Sequence, residues 1–383
     1  MALSPFYGWS EPDNSSLVKN GAADIRTLGD SIDTSLWNSG FGKAGGNKII
    51  NGDFSINQRN FTSSTASGYG FDRWVADISG DGTATFSTQV FATGAAPVAG
   101  YEGTNFCRIV TTGQTSAAVN SRLGQRIENV RTFAGQTITV SFWAKAATGT
   151  PSIAVELQQN FGTGGSPSAT VNTLIATPAK LAITTSWARY SYTIAVPSIS
   201  GKTVGTNNDS HLIVGIYVSA GSNFNARTGT LGIQSNTFDI WGVQAEYGAK
   251  MTPFQTASGG SPQAELAMCQ RYYVRLGAAN GVTTAAYATY GNGYTTSTTN
   301  ASIAIPLPVP MRAIPYTIEF STLAILSNVS TLLAASAVVF NSSNNSNTRA
   351  HVEVTVTGAV AASYQTLENN NSTSGYIGFS AEL

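Results

Sequence analysis

Apolar and polar positions alternate in short runs along most of the chain. Examples are Thr137-Ile138-Thr139-Val140-Ser141-Phe142-Trp143 and Arg189-Tyr190-Ser191-Tyr192-Thr193-Ile194-Ala195-Val196, while His211-Leu212-Ile213-Val214-Gly215-Ile216-Tyr217-Val218 is almost continuously apolar. Runs of this length, separated by Gly, Pro, Asn and Ser clusters, predict strands whose alternate side chains enter a core. From residue 47 to 257 they predict two packed antiparallel sheets, a β-sandwich. The stretch Ala257-Ser258-Gly259-Gly260-Ser261-Pro262 reads as a linker to a second β-rich unit, residues 258–383, that opens with a helical or extended segment over Glu265 to Leu276. In that unit Ile303 to Pro310 carries Pro at every second position from 306, which predicts an edge or polyproline-like segment. Asn341 to Asn347 predicts a loop tip. No fixed-period repeat is present, which argues against a β-helix or propeller.

Residues 1–46 follow a different pattern. Val18, Ala22, Ile25, Ile32 and Leu36 fall at spacings of four and three when Gly29 takes the remaining seam position with Leu28 beside it, and Asp13 to Ser16 offer N-caps. Such a helix, on the order of 30 Å long with two internal glycines, is marginal in water unless its seam meets another helix. Parallel self-association, most naturally as a homotrimer, is the sharper expectation; the alternative is a single helix lying on a neighbouring domain. The expected fold is mostly β: a short N-terminal helix, a β-sandwich and a second C-terminal β-rich domain.

Composition narrows the partners. Charged residues are 10% of the chain, and 20 basic against 20 acidic side chains give zero formal net charge, which removes the electrostatic attraction behind nucleic-acid and anionic-membrane binding. Low charge on a β protein also weakens the repulsion that keeps sheet edges apart, so burial of edges in an oligomer is expected. The start, Met1-Ala2-Leu3-Ser4-Pro5-Phe6-Tyr7-Gly8-Trp9, has no basic and apolar export pattern, and no stretch approaches the length of a membrane span. A chain made in the cytosol with a composition suited to an extracellular surface fits a virion protein released by lysis. Cys107 and Cys269 sit in apolar surroundings and read as buried thiols.

Three segments carry a resemblance. Ser4-Pro5-Phe6-Tyr7-Gly8-Trp9 and Val18 to Asp33 resemble the N-terminal segment of phage fibre and minor structural proteins; the likeness implies virion attachment, with Pro5, Phe6, Tyr7 and Trp9 as candidate docking residues. Ile50-Asn51-Gly52-Asp53-Phe54, Phe71-Asp72-Arg73-Trp74 and Phe238 to Glu246 resemble a jelly roll of the carbohydrate-binding-module type, and Gly248 to Phe254 is similar to the exit from that domain in phage tail proteins. Such modules often hold a structural calcium through acids at the end of the last strand, where this chain has Trp241-Gly242, and no cofactor is expected. Glu265 to Tyr273 and Val309 to Pro315 resemble the distal domain of phage tail fibres.

Other chemistry finds little material. Gly201-Lys202-Thr203 resembles the end of a phosphate loop, but Val196 stands where its first glycine is required. His211 and His351 have no partner at metal or triad spacing, and Asp77 to Gly82 lacks the acidic positions of an EF-hand. No catalytic or metal-binding residue is expected. Two folded-together carboxylates among Asp72, Asp77, Asp81, Glu102, Glu128, Glu156 and Asp239 would suffice for glycan hydrolysis, which stands as a minor alternative. Sugars bind flat on exposed aromatic rings, and Tyr287, Tyr290 and Tyr294, in a Gly/Thr-rich stretch, are the candidates for glycan contact; packing within a trimer is their bland alternative. Trp74, Trp143, Trp187 and Trp241 are expected in the core. The reading is a non-enzymatic phage fibre or appendage subunit, anchored to other virion proteins through residues 1–46 and contacting a host surface glycan. A purely architectural head-fibre, collar or decoration protein is the alternative.

Overall fold

The computed structural model describes residues 2–4, 9–12, 17–39, 46–279, 283–327 and 331–383. The cap candidates Asp13 to Ser16, the docking candidates Pro5, Phe6 and Tyr7, and the side chain of Leu36 lie outside them. The leader holds two short paired strands, β1 (Ala2–Leu3) and β2 (Ser10–Glu11), then a 3-10 turn over Val18–Asn20 and α1 (Gly21–Ser39). Val18 therefore sits in the 3-10 turn, ahead of the α-helix whose seam it was expected to start, because the helical ladder begins only at Gly21. Val18 is 97% and Ile25 65% exposed, Ala22 is exposed, and Leu28 and Ile32 are half-buried.

The sandwich is built from β3 (Ser63–Ser64), β4 (Gly68–Tyr69), β5 (Trp74–Ser79), β6 (Thr83–Val90), β7 (Asn105–Thr112), β8 (Asn120–Glu128), β9 (Thr137–Ala146), β10 (Ser152–Asn160), β11 (Val171–Ala182), β12 (Ala188–Ala195), β13 (His211–Ala220) and β14 (Asn236–Tyr247). They form one antiparallel sheet in the order β3-β6-β7-β14-β9-β12-β11-β10-β13-β8-β5-β4. This sheet curls on itself at β11, which pairs extensively with β10 and meets β12 through Thr177 and Thr193. The two halves face each other in jelly-roll fashion, and the alternation seen in the sequence fills the space between them: Ile138, Val140 and Phe142 from β9, Ile153, Val155 and Leu157 from β10, and Leu212, Val214 and Ile216 from β13. Each such side chain contributes about 1.5–3 kcal/mol by leaving water.

Strand β13 is apolar at nearly every position because both of its faces are covered. Its outer residue Tyr217 lies under the segment from a 3-10 turn (Ser222–Phe224) into α2 (Asn225–Thr228), where Phe224 and Leu231 join Ala154 and Ala220 in a small second cluster. Trp74 and Trp241 are wholly buried, and Trp143 and Trp187 pack half-buried against the same core. Trp241 meets Tyr101, Trp143 and Phe254 at ring-centroid distances of 5.6, 5.6 and 5.0 Å. Gly242 next to it has φ +64°, and a Cβ there would fall 2.8 Å from the Trp143 ring, so the bulge that turns Trp241 inward needs glycine. Both cysteines are free and buried.

The stretch 257–262 is a bonded turn in this structure. Gly259 donates its N–H to the Thr256 carbonyl, Ser258 Oγ donates to the Ser261 carbonyl, and Ser261 caps α3 (Pro262–Gln270) by accepting from the Ala264 N–H. The second unit follows with β15 (Tyr273–Gly277), β16 (Thr289–Thr295), β17 (Asn300–Pro306), β18 (Thr317–Ser321), β19 (Leu323–Ser327), β20 (Leu332–Ala334), β21 (Ala337–Phe340), β22 (Arg349–Thr355), β23 (Tyr364–Asn369) and β24 (Tyr376–Ser380). A three-stranded sheet β15-β24-β18 and a seven-stranded sheet β20-β19-β23-β16-β17-β22-β21 enclose its core. The proline-spaced segment departs from the sequence expectation in its first half: Ile303 to Pro306 belong to β17, which is interior, flanked by β16 and β22 on its two edges, while residues 307–310 lie outside any strand. Pro306 is the last residue of β17, where the ladder ends, so the missing N–H removes no bond from the strand's middle.

The two units are joined by a buried polar seam. Arg73, on the turn before β5, forms an ion pair with Glu382 just after β24; their side chains are 1% and 2% exposed. The same guanidinium donates to the Arg126 carbonyl and lies 3.4 Å from the Tyr272 ring centroid. Gln58 Nε2 donates to Asp72 (2.6 Å) and to the Tyr273 carbonyl (2.8 Å), and the Asn51 N–H donates to Glu265 on α3 (2.6 Å). Arg271 and Tyr272 both donate to Glu128.

Two groups, Glu128 and His211, should make stability fall on acidification. Burial pushes the Glu128 carboxyl up, but the bonds from Arg271 and Tyr272 outweigh it and hold it below the ordinary value of 4.5. His211 is held below 6.5, chiefly by burial. Both folded values are depressed, so the unfolded chain takes up protons first and the stabilisation is lost as pH falls: from about 6.5 downward for His211 and from about 4.5 downward for Glu128. Urea midpoints measured between about pH 8 and 3 should decline in those two windows, and a flat midpoint from about pH 7 to 5 would remove the His211 contribution.

Candidate functional site

The outer face of the seven-stranded sheet carries an ordered row of side chains. Register places Tyr364 of β23 opposite Tyr294 of β16, Tyr294 opposite Ser302 of β17, and Ser302 opposite Glu353 of β22. Alternation turns Ile303, Ile305, Val352 and Val354 into the core, so their neighbours in sequence stand on the opposite face, where Ser302 is covered to 5% exposure by its polar neighbours. Strand spacing of about 4.8 Å makes the row roughly 14 Å long. Tyr294 and Tyr364 are 57% and 61% exposed. β16 and β17 approach closely because position 293 is glycine: a Cβ there would overlap the Ser302 carbonyl.

Polar groups flank the two rings. Asn292 Nδ2 donates to the Tyr364 hydroxyl (3.0 Å). Ser302 Oγ donates to Glu353 Oε1 (2.8 Å), Asn341 Nδ2 donates to the same oxygen (2.8 Å), and His351 Nε2 lies 2.9 Å from Ser302 Oγ. With the serine proton directed at Glu353, His351 Nε2 is the donor to Ser302, and its buried Nδ1 has no partner among the described residues. A nucleophilic triad needs the opposite order, with the imidazole accepting the serine proton and the acid on the other ring nitrogen. The group is instead a fixed array of donors and acceptors beside an aromatic strip.

Of the three tyrosines expected to contact glycan, the structure places only Tyr294 in this row. Tyr287 is 54% exposed in the turn before β16. Tyr290 is half-buried and donates to Asn369 Oδ1 (2.5 Å), and burial pushes its hydroxyl up to about 12; its bond and packing make it part of the scaffold. Tyr364, Asn292, Ser302, His351 and Glu353 had no sequence signal beyond their positions in β runs, because only pairing of strands some 50 to 70 residues apart assembles them.

The carboxylates weighed for hydrolysis are already engaged. Asp239 pairs with Arg108 and Lys145, Asp77 with Arg122, and Glu128 with Arg271. Asp72 accepts from Gln58, Asp81 from Thr115 and Ser116, and Glu102 from the Gly94 N–H. Glu156, wholly buried, accepts from Arg122, Arg227, Tyr217 and Gln158. Among the described residues no group of three or more His, Cys, Asp or Glu could hold a metal ion, and no helix is long and apolar enough to cross a membrane. Trp9 of the leader donates its indole N–H to Ser35 of α1 (2.7 Å) and is half-buried.

No protein-family model matches the chain, and no curated protein matches it by sequence. Among solved structures it is similar to the enzymatically active domain of tailspike protein 4 of bacteriophage CBA120, at 12% identity and a TM-score of 0.31, over 53% of this chain and 21% of that one. The likeness thus spans about a fifth of the length of that domain. It is also similar to a family 4 carbohydrate-binding module (17% identity, TM-score 0.28, 52% of this chain and 99% of that one). A third is the family 11 carbohydrate-binding module of Clostridium thermocellum in complex with a mixed-linked tetrasaccharide (12% identity, TM-score 0.29, 49% and 97%). These three solved structures are two carbohydrate-binding modules and one phage tailspike domain.

Proposed function

We propose that the chain is a non-enzymatic glycan-binding subunit, and that the row Tyr364-Tyr294-Ser302-Glu353 on its distal sheet is the contact surface. The observation that carries this reading is the pair of exposed rings in register with a serine, a carboxylate and an amide. Sugar rings present an apolar face to aromatics and a rim of hydroxyls to such polar groups. On the same reading it is a phage fibre or appendage subunit, held to other virion proteins through residues 1–46 and to two further copies of itself through α1. The exposed Ile25 and the half-buried Leu28 and Ile32 support the self-association, since a helix stripe of that kind is stabilised by a second helix.

The test is binding of the full chain to an array of bacterial surface glycans and to whole cells. Tyr294→Ala and Tyr364→Ala should each weaken binding about tenfold, which corresponds to about 1.4 kcal/mol, while changing folding stability by only about 0.5 kcal/mol because both sites face solvent. Absence of any glycan or cell binding by the wild-type chain would favour a purely architectural virion subunit. Release of reducing ends from a bound glycan would favour a hydrolase.

A further inference from the structure

We infer that the distal row takes an amine-bearing sugar and discriminates against acidic ones, an inference that rests on the reading of this row as the glycan-contact surface. What selects the ligand is Glu353. Both hydrogen bonds that it receives, from Ser302 and Asn341, end on Oε1, while Oε2 has no partner among the described residues and is not sealed from solvent. The half-buried carboxylate is thus held by one oxygen and offers the other, with its charge, beside the aromatic strip.

No cation among the described residues answers that charge. Register puts Ser302 on one side of Glu353 and Val339, 55% exposed, on the other. Residues 258–383 contain no lysine and four arginines. Arg271 is bound to Glu128, Arg275 to the Arg59 carbonyl and Arg312 to the carbonyls of Asn208 and Ala381, all at the seam with the sandwich. Arg349 stands four residues before Glu353 on β22, its Cα about 13 Å away along the strand, where the Debye length at physiological salt is about 8 Å.

A sugar ring resting on Tyr294 carries its substituents, or the next ring of a chain, across Ser302 to Glu353, two strand spacings or about 10 Å away. There a protonated amine makes a charge-assisted hydrogen bond, roughly twice as strong as the one that a hydroxyl or an acetylated amine makes. A uronate in the same place meets a like charge with nothing to offset it.

The experiment measures binding of the full chain, at about pH 6 where ordinary amines are protonated, to free-amine and N-acetylated oligosaccharides of D-glucosamine and D-galactosamine and to oligosaccharides of D-glucuronate and D-galacturonate. At least one free-amine oligosaccharide should bind at least about fivefold more tightly than its N-acetylated form, with the uronates weakest. Glu353→Gln, which keeps the shape of the side chain and an oxygen for Ser302, should remove the difference, and raising salt from about 0.05 to 0.5 M should shrink it in the unaltered chain. Tyr294→Ala should weaken all of them. Equal or tighter binding of an N-acetylated or uronate form, or a preference that survives Glu353→Gln or high salt, overturns the inference while loss of binding in Tyr294→Ala still upholds the row as a glycan surface. Absence of binding by every oligosaccharide, or binding indifferent to Tyr294→Ala, overturns the reading of the row and the inference with it.

Discussion

Arg73→Ala should lower stability by about 3–5 kcal/mol, because truncating one partner of a buried ion pair leaves the other charge poorly compensated. Glu382, 2% exposed, then keeps only its longer contact to Arg59 (3.5 Å). The substitution also removes the donor to the Arg126 carbonyl within the sandwich and the cation lying over Tyr272, and the contacts to Tyr272 and Glu382 join the sandwich to the segments after α3 and β24. Unfolding in urea should shift accordingly, and hydrogen exchange should rise first in α3 and β24. Arg73→Lys keeps the charge without the planar fork and should recover only part of the loss. A loss below about 1 kcal/mol in Arg73→Ala would mean that the seam admits water and does not bind the units.

Glu156→Ala should cost a similar amount, about 3–5 kcal/mol, by the same logic applied to the outer face of the sandwich. Glu156 is wholly buried and receives hydrogen bonds from two guanidinium groups, Arg122 and Arg227, besides Tyr217 and Gln158. Without it, Arg122 retains Asp77 (3.0 Å), while Arg227 loses its carboxylate and α2 loses its tie to β10. Urea unfolding would measure the loss, and proteolysis should cut first in the segment 222–231. Cleavage elsewhere with an unchanged midpoint would show that the cluster is dispensable.

Neither network was legible as a network. Asp77, Glu156, Asp72 and Glu128 appear in the sequence as isolated acids; what engages Asp77, Glu156 and Glu128 is an arginine from another strand or the other unit, and what engages Asp72 is Gln58. The same holds for Ala257 to Pro262, whose composition reads as a linker but whose hydrogen bonds make a capped turn. Tyr294 stands out in the sequence by its Gly/Thr-rich setting and its cross-strand neighbour Tyr364 does not, since strand register is a property of the folded sheet.

By itself the sequence determined the class of fold, because side-chain alternation and chain punctuation are local: the strands of the sandwich, the helix between the leader's aromatic cluster and Asn47, the buried tryptophans and thiols, and the turn at Asn341 to Asn347 all follow from nearest neighbours along the chain. Only the tertiary structure decided which polar residues meet. The interior place of β17, the Arg73–Glu382 seam and the Tyr364-Tyr294-Ser302-Glu353 row depend on pairings between residues far apart in sequence. Those pairings are set by burial of the apolar faces, and the polar faces are carried into register with them.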